Sequence, residues 1–358
     1  MNLYICSTLR HLLFSVLKAK NEPNQESHIL FFYDYQDIDM NMLDTTCLPD
    51  HIKLTLLSRK ELTRKLKQSL KGKLYLFLSL RTINLPELLK NKLKIYISGF
   101  IPGLSISNKK IALFVFNERN KMSRLFRTMV SEYEMIEDGV GNYFKVPTVG
   151  TQGIVRFLQN KPTQYWLFGE EARCKRIYVV SPEKLPEDIQ HKAVQIDFLK
   201  NKKNIALING VFKFSPTKKN PNNSMIIATM PTGSALFNKL KNKQFLFQLN
   251  QHFIDFADEH DIAVSIKTHP SESIKDYDKY FPNINFLPSK LPLELFILNA
   301  EKSPTIISIA SSAGIGFEDY CRRITLIPES SLEGFVDIIL SWENNEDKLK
   351  ETVIRSLT

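Results

Sequence analysis

The sequence predicts a doubly wound α/β protein of two domains, and two observations carry that prediction. Short apolar segments of strand length alternate with longer segments of helix length along nearly the whole chain. One polar stretch, KFSPTKKNPNNS at residues 213–224, interrupts this alternation with prolines, asparagines and lysines. The predicted domains are therefore residues 1–215 and residues 224–358.

Strands and helices are predicted to alternate in the first domain. Its apolar segments are those expected of buried parallel strands. They are NLYICS (2–7), HILFFYD (28–34), IKLTLLS (52–58), KLYLFLSL (73–80), LKIYISGF (93–100) and IALFVF (111–116). The strongly basic segment RKELTRKLKQSLKG (59–72) predicts a helix with a solvated face, and contact with a membrane or an acceptor is the alternative interpretation.

The second domain shows the same alternation more clearly. Its predicted strands are SMIIATMPTGS (224–234), IAVSIKTHP (262–270), NINFLPS (283–289), TIISIASSAG (305–314) and ITLIPES (324–330). A helix is predicted over residues 237–260, where apolar side chains recur three and four residues apart. A second helix is predicted over residues 291–301, and a closing helix over residues 341–358 is a candidate for packing back onto the N-terminal domain.

Composition restricts the class of protein. The 358 residues are enough for two domains, and a net charge of +10 favours an anionic partner such as a nucleic acid, an acidic membrane or a phosphorylated substrate. The four cysteines are far apart, with no CxxC pair, so neither a zinc knuckle nor a disulfide framework is predicted. The cysteines are interpreted as reduced thiols, and the sequence shows neither a signal-peptide pattern nor an apolar run near 20 residues. These observations together predict a cytoplasmic protein.

Three predicted strands of the second domain end in residues suited to binding a nucleotide. ATMPTGS and IASSAG supply small residues, hydroxyls and backbone N–H groups, which suit a phosphate, although ordinary turns use the same residue types. His269 lies at the end of the strand that also carries Lys267, directly before Pro270. Open α/β sheets bind ligands at this edge, so His269 is the histidine predicted to act. The others, including His11 and His252, are interpreted as structural or surface residues.

A carboxylate pair marks the first domain. In YEMIEDGVGNY (133–143), Glu137 and Asp138 follow an apolar step and precede Gly139 and Gly141. Two adjacent carboxylates are costly to bury together, so one pKa is expected to rise, which suits a general base near neutral pH. The glycines permit positive φ and a close approach of ligand to backbone. The competing interpretation is an ordinary Asp-Gly surface turn.

The ordered set of these motifs resembles the bacterial lipooligosaccharide sialyltransferase family and the related polysialyltransferases. The motifs are EDG (137–139), HP (269–270) and SS (311–312), with MNLYICST at the start and LPSKLPLE (287–294) between HP and SS. The resemblance implies a GT-B fold, in which two Rossmann-like domains face across a cleft. It also implies an inverting enzyme without metal or cofactor. CMP-sialic acid would bind the C-terminal domain, and a lipid-linked lipooligosaccharide or capsule glycan would bind the N-terminal domain.

The resemblance also implies roles for individual residues. Glu137 or Asp138 would deprotonate the acceptor hydroxyl, and His269 would donate a hydrogen bond or proton to the departing phosphate. The other expected donor-site residues are Gly233, Ser234, Lys267, Pro270, Glu294, Ser311 and Ser312. Ser311 and Ser312 would hold the phosphate, Gly233 and Ser234 would border the nucleotide, Glu294 would hold the ribose and Lys267 would add positive charge.

One departure and several alternatives accompany this interpretation. Some family members are thought to take their base from an aspartate after the first C-terminal strand, but MPTGS (230–234) contains no acid. Another CMP-nonulosonate or CMP-Kdo donor fits the same motifs. Peripheral contact with the anionic inner membrane and a homodimer are further expectations. A non-catalytic nucleic-acid-binding module is the alternative from another class, but nucleic acid is not the predicted partner because residues 59–73 contain no aromatic side chain.

Overall fold

The computed structural model describes residues 1–81, 83–106, 109–158, 161–200, 204–216, 224–230, 239–270, 272–311, 313–328 and 334–358. The chain divides into two compact units, Met1–Lys213 and Phe214–Thr358. The division falls at the start of the polar stretch KFSPTKKNPNNS (213–224), which contains few apolar side chains to bury.

Strands of the N-terminal unit form a seven-stranded parallel sheet and a two-stranded antiparallel ribbon. They are β1 Asn2–Cys6, β2 Ser27–Phe32, β3 Ile52–Leu57, β4 Ala112–Val115, β5 Tyr133–Ile136, β6 Val146–Pro147, β7 Tyr165–Trp166, β8 Cys174–Val179 and β9 Ala193–Gln195. The sheet order is β3-β2-β1-β4-β5-β8-β9, and β6 pairs with β7. Every residue of β1 and β2 is buried, which explains their continuous apolar sequences. The strands predicted at residues 2–7, 28–34, 52–58 and 111–116 are thus confirmed.

Helices of this unit lie between many of the strands, and three of them in succession separate β3 from β4. They are α1 Leu9–Lys20, α2 Arg59–Lys67, α3 Leu70–Leu80, α4 Glu87–Ser98, α5 Lys121–Arg127, α6 Gln152–Phe157, α7 Glu187–Gln190 and α8 Ile205–Val211. The hydroxyls of Thr8, Ser58 and Ser69 begin three of them, each accepting from the backbone N–H three residues later. No helix in the described parts of the chain is both long enough and apolar enough to span a membrane.

Two strand predictions are wrong. Of the segments predicted as strands, residues 73–80 lie in the helix α3 and residues 93–98 of the segment 93–100 lie in the helix α4. In α3 the buried residues Gly72, Tyr75, Leu76 and Ser79 are three and four apart, so one helical face is covered. A short apolar run does not distinguish a strand from a helix by itself, and here the tertiary contacts select the helix.

The C-terminal unit is a smaller parallel sheet covered by helices. Its strands are β10 Ser224–Ala228, β11 Ala263–Lys267, β12 Asn285–Phe286, β13 Thr305–Ser308 and β14 Arg322–Thr325, in the order β12-β11-β10-β13-β14. Its helices are α9 Phe245–Glu259, α10 Ile274–Asp278, α11 Leu293–Leu298, α12 Phe335–Glu343 and α13 Glu346–Leu357. The closing helix α13 buries Leu349, Val353 and Leu357 in the core of this unit.

Both sheets share one topology. In each, the first strand lies in the interior, the next two strands extend to one side, and the chain then returns to the other side. This is the Rossmann order, so each sheet has a switch point, between β1 and β4 in the first unit and between β10 and β13 in the second. Ligands of such sheets bind outside the carboxyl ends of the strands at that point.

Candidate active site

Polar side chains meet at the carboxyl ends of the central strands β1, β4 and β5. The amide Nδ2 of Asn120 donates to Ser7 Oγ, which follows β1, at 3.1 Å. The amide Nδ2 of Asn117, which follows β4, donates to Asp138 Oδ2 at 3.1 Å. These residues lie at the switch point of the N-terminal sheet, and they form the candidate site of this unit.

A buried histidine holds Asp138 in place. His11 Nε2 lies 2.5 Å from Asp138 Oδ1, and His11 Nδ1 accepts from the backbone N–H of Ser7 at 3.2 Å. Because Nδ1 is an acceptor, the ring hydrogen is on Nε2 and points to the carboxylate. The ring also stacks on Phe116 with centroids 4.1 Å apart. The interpretation of His11 as a merely structural residue was therefore incomplete, because it directly orients the predicted catalytic carboxylate.

The environment of Asp138 keeps it ionised. Burial by itself raises the pKa of this carboxyl, but His11, Asn117 and Arg10 together outweigh burial and lower the pKa to about 2. The rise in pKa expected for the pair is thus not found at Asp138. Its side chain is 31% exposed, so a carboxylate oriented from behind still faces solvent.

Glu137 has a different environment although it is the adjacent residue. Its side chain is completely buried. Its carboxylate accepts from the hydroxyl of Tyr143, from the backbone N–H of Val180 at 3.0 Å and from Arg10 Nη2 at 3.4 Å. These contacts join β5 to the chain after β8 and leave the carboxylate inaccessible to a substrate. The geometry therefore separates the two acids into one internal anchor and one accessible carboxylate.

The two glycines of this stretch also differ. Gly139 has φ 148° and ψ −159°, a conformation that essentially only glycine adopts. Gly141 does not have positive φ, and a Cβ added there would meet Phe168 at an ordinary 3.6 Å. Positive φ is thus required at Gly139 alone, where the backbone turns directly after Asp138.

In the C-terminal unit, the end of β11 forms a tight turn around His269. The backbone N–H of His269 donates to Thr229 Oγ1 at 3.0 Å and to Glu272 Oε2 at 3.1 Å. Glu272 is held in turn by the hydroxyls of Thr229, at 2.5 Å, and Tyr277, at 2.9 Å. Burial lowers the pKa of the half-buried His269 imidazole from 6.5. The charge of Lys267 lowers this pKa further, and the opposing effect of Glu272 does not outweigh them.

Two lysines lie at the same turn. Lys267 is buried, and its Nζ donates to the carbonyl of Ser289 at 2.8 Å. Burial lowers the pKa of Lys267 to about 8, against the opposing effect of Glu294. Lys290 Nζ lies 3.4 Å from the carbonyl of Pro270. The LPSKLPLE segment thus brings a second cation, which sequence reasoning missed, beside the His-Pro motif, and it also carries the buried Glu294.

The loop after β13 is stabilised from within. Ser311 Oγ accepts from the backbone N–H of Ala313 at 3.1 Å. Arg323 donates to the carbonyls of Ser311, at 2.6 Å, and Ala313, at 2.9 Å. The predicted residues Gly233, Ser234 and Ser312 lie outside the described residues.

Each unit thus brings together some of its predicted residues. The first gives the adjacent Glu137 and Asp138 different environments, and the second has Lys267, His269 and Pro270 at one turn, with Glu294 acting electrostatically on Lys267. Sequence reasoning missed His11, Asn117 and Lys290. For His11 a local signal existed, since it lies in the first turn of the helix that follows the first strand. Among the described residues, no group of three or more histidine, cysteine or acidic side chains is placed to hold a metal ion.

Solved structures similar to this chain include sialyltransferases. One is the α/β-galactoside α-2,3-sialyltransferase of the luminous marine bacterium Photobacterium phosphoreum, with a TM-score of 0.50, 13% identity and coverage of 96% of this chain and 95% of that one. Another is a sialyltransferase from Photobacterium damsela, with a TM-score of 0.47, 13% identity and coverage of 97% and 80%. No curated protein matches significantly in sequence. The two Rossmann-like units give the chain the fold of the GT-B class.

The profile of glycosyltransferase family 52 matches residues 68–326, well over half of the chain. The chain belongs to glycosyltransferase family 52, a family of bacterial sialyltransferases. The expectation of a bacterial sialyltransferase is confirmed, and the alternative of a non-catalytic module is wrong.

Proposed function

We propose that the protein transfers sialic acid from CMP-sialic acid to a hydroxyl of a cell-surface glycan, with inversion at the anomeric carbon and without a metal ion. One observation carries this proposal beyond the family assignment. Asp138 is an ionised, partly exposed carboxylate at the switch point of the N-terminal sheet, oriented by His11 and Asn117. A single accessible carboxylate of this kind suits an inverting transferase, which needs a base for the acceptor and no covalent enzyme intermediate.

Asp138 is proposed to take the proton of the acceptor hydroxyl. The acceptor oxygen forms a bond to the anomeric carbon while the bond from that carbon to the phosphate oxygen of CMP breaks. The hydroxyl becomes strongly acidic as the new bond forms, so a carboxylate with a pKa of about 2 is basic enough to accept the proton late in the step. His11 keeps one oxygen of Asp138 occupied, and this fixes the direction of the carboxylate.

The turn around His269 is proposed to receive the departing CMP. The leaving group carries an increasing negative charge on its phosphate, and fixed cations or donors stabilise such charge. His269, Lys267 and Lys290 are the candidate groups, because they meet at one turn. Cationic side chains at this position would do the work that a divalent metal does in other transferases, which is the reason for proposing metal independence.

The remaining donor-site roles are proposed from the family resemblance. Glu294 is proposed to hold the ribose hydroxyls. Ser311 and Ser312, with backbone N–H groups there, are proposed to contact the phosphate, and Gly233 and Ser234 are proposed to border the nucleotide. Since Ser311 Oγ already accepts from Ala313, its hydroxyl hydrogen is the part left to donate to the phosphate.

A transfer assay tests the proposed function. Purified protein in EDTA is incubated with labelled CMP-sialic acid and a panel of galactosides, with CMP-linked pseudaminic acid, legionaminic acid and Kdo as parallel donors. We expect a product of inverted configuration, transfer that persists in EDTA, and sialic acid as the best donor. Transfer only after a divalent cation is restored would contradict metal independence. Failure of every CMP-sugar to react would overturn the proposed function.

The acceptor is proposed to be a lipid-linked lipooligosaccharide or capsule glycan, reached by peripheral contact with the anionic inner membrane. Helix α3 supports this contact. Its side chains Leu70, Leu74 and Phe77, spaced four and three apart, are 85%, 54% and 53% exposed and form an apolar stripe. Lys71 and Lys73 flank the stripe on the same helix. Apolar side chains between lysines complement a bilayer with anionic headgroups.

Vesicle sedimentation tests the membrane contact. The wild-type protein is expected to bind vesicles containing phosphatidylglycerol, more weakly as salt rises, and to bind phosphatidylcholine vesicles poorly. Leu74→Ser with Phe77→Ser should lower binding about tenfold, because both side chains lose their apolar contact with lipid. Ile154→Ser with Phe157→Ser on α6 is the matched control, since those side chains are 65% and 70% exposed. Binding that both pairs reduce equally, or a dimer that buries α3 in solution, would contradict the proposal.

A further inference from the structure

The N-terminal unit contains a strongly cationic cavity that the proposed chemistry does not use. Its volume is about 310 Å³, and it lies between the loop from β4 to α5, the helix α6 and the ribbon of β6 and β7. Its lining includes five basic side chains, those of Arg119, Arg124, Arg127, Arg156 and Lys161. Three carboxylates also line it, so the cavity carries an excess of positive charge.

The carboxylates of the cavity are occupied by some of these cations. Arg156 forms a two-point pair with Glu170, at 2.7 Å and 2.9 Å. Arg127 pairs with Glu171. Lys161 Nζ lies 3.4 Å from Glu170, which it shares with Arg156. These ion pairs lie in the wall of the cavity, and in them the carboxylates of Glu170 and Glu171 are neutralised by neighbouring cations.

Arg119 and Arg124 are the cations left over. Within the described ranges of the chain, neither guanidinium forms an ion pair or a hydrogen bond with another side chain. The Arg119 guanidinium lies 3.7 Å from the centre of the Trp166 ring. Stacking on an indole holds a guanidinium flat and leaves its edge N–H groups free to donate to a planar or tetrahedral oxyanion.

The cavity lies next to the proposed base through a single loop. Asn117 contacts Asp138, and Arg119 is only two residues further along the chain, which limits their Cα separation to about 7 Å. Between them, Glu118 is buried and accepts from the hydroxyl of Tyr133 and from the backbone N–H of Gly169 at 3.0 Å. This anchor fixes the loop, so Asn117 and Arg119 are held in a constant relation to each other.

We propose that Arg119 and Arg124, with Trp166 as the platform, bind an anionic group on the acceptor glycan, a phosphate or a carboxylate, beside the hydroxyl that is sialylated. This inference rests on the proposed function, since it takes Asp138 as the base that receives the acceptor. It assigns the anion to the acceptor because the loop that carries Arg119 also orients Asp138. It makes the substrate class a charged glycan rather than a neutral one.

Kinetics with matched acceptors test this subsite. The same galactoside is used in a neutral form, with a phosphate and with a carboxylate, and kcat/KM is measured for each acceptor at saturating CMP-sialic acid. Wild type is expected to prefer at least one anionic form by about 10- to 100-fold, the range expected for one charge-assisted pair. Arg119→Gln and Arg124→Gln should each move the ratio of anionic to neutral kcat/KM towards one. Arg64→Gln, an exposed arginine on α2, is the control for net charge and should retain the wild-type ratio.

The outcomes separate the subsite from the proposed function. Transfer by wild type with equal kcat/KM for all three acceptors would overturn the subsite while leaving the transferase intact. If Arg119→Gln and Arg124→Gln change the KM for CMP-sialic acid but leave the ratio of anionic to neutral kcat/KM unchanged, the two arginines bind the donor. That result would also overturn the inference. Whether phosphate or carboxylate gives the larger ratio identifies the anion. No transfer to any acceptor would contradict the proposed function itself.

Discussion

Asp138→Asn is expected to lower kcat by about 10²–10⁴-fold, the contribution typical of a positioned general base. The asparagine preserves the size of the side chain and an oxygen that accepts from His11, but it removes the group that takes the acceptor proton. Steady-state transfer from CMP-sialic acid, at saturating donor and acceptor, measures the effect. The KM for the donor should change little, because the loss falls on the chemical step.

Glu137→Gln is the matched control for this prediction. Glu137 is completely buried and accepts from Tyr143, Val180 and Arg10. Its amide would place an N–H group among donors, so the expected effect is a loss of roughly 1–3 kcal/mol in the free energy of unfolding. The fraction of Glu137→Gln that remains folded should retain a kcat much closer to wild type than Asp138→Asn. If the two variants lose kcat equally while both remain folded, the assignment of Asp138 as the only base is wrong.

The pH dependence adds an independent check on Asp138. Because its pKa is lowered to about 2, the carboxylate is charged throughout the range in which the enzyme is assayed. Protonation of Asp138 should therefore not lower the activity between pH 7 and pH 5. If activity does fall over this range, the fall should also be seen in Asp138→Asn. The stabilisation associated with this lowered pKa is present above the pKa of the unfolded carboxyl, near 3.9, and is lost as the pH falls through about 2.

His269→Ala is expected to lower kcat/KM for CMP-sialic acid by about 10²–10³-fold, the loss typical of removing one donor to a developing negative charge. It should also reduce the rise in melting temperature that CMP produces in wild type, since a ligand of the folded state stabilises it more the more tightly it binds. Differential scanning fluorimetry with CMP in EDTA measures this second effect. His191→Ala, an exposed histidine of the other unit, serves as the control.

The pH dependence of CMP binding tests the role of the imidazole. The pKa of His269 is lowered from 6.5, so the ring is mostly neutral at pH 7 in the free protein. If the protonated ring binds the phosphate, CMP affinity should rise as the pH falls towards that pKa. CMP's own phosphate titrates near pH 6, and His269→Ala reports that contribution alone. A parallel pH dependence in wild type and variant would contradict proton donation by His269.

Much of the fold follows from local sequence, because strand formation in a buried parallel sheet requires only a short continuous apolar segment. The segments at residues 2–7, 28–34, 52–58, 111–116 and 262–270 contain such runs, and each contains a strand. The HP motif was likewise placed at a strand end from sequence, which is where ligands bind. The EDG motif was predicted only to follow an apolar step, which the structure shows to be the strand β5. The segments at 73–80 and 93–100 were misassigned because short apolar runs fit a helix equally well.

Only the tertiary structure decides how distant residues combine. His11 and Asp138 are 127 positions apart, and they meet because β1, β4 and β5 are neighbours in the sheet. The same contact lowers the pKa of Asp138, whereas the carboxylate pair alone predicted a rise. Burial by Tyr143, Val180 and Arg10 is what makes Glu137 an anchor. Sequence by itself thus determined several of the buried strands, the motifs and the family, since these depend on local runs of residues. The choice between two adjacent carboxylates depends on partners brought together by folding.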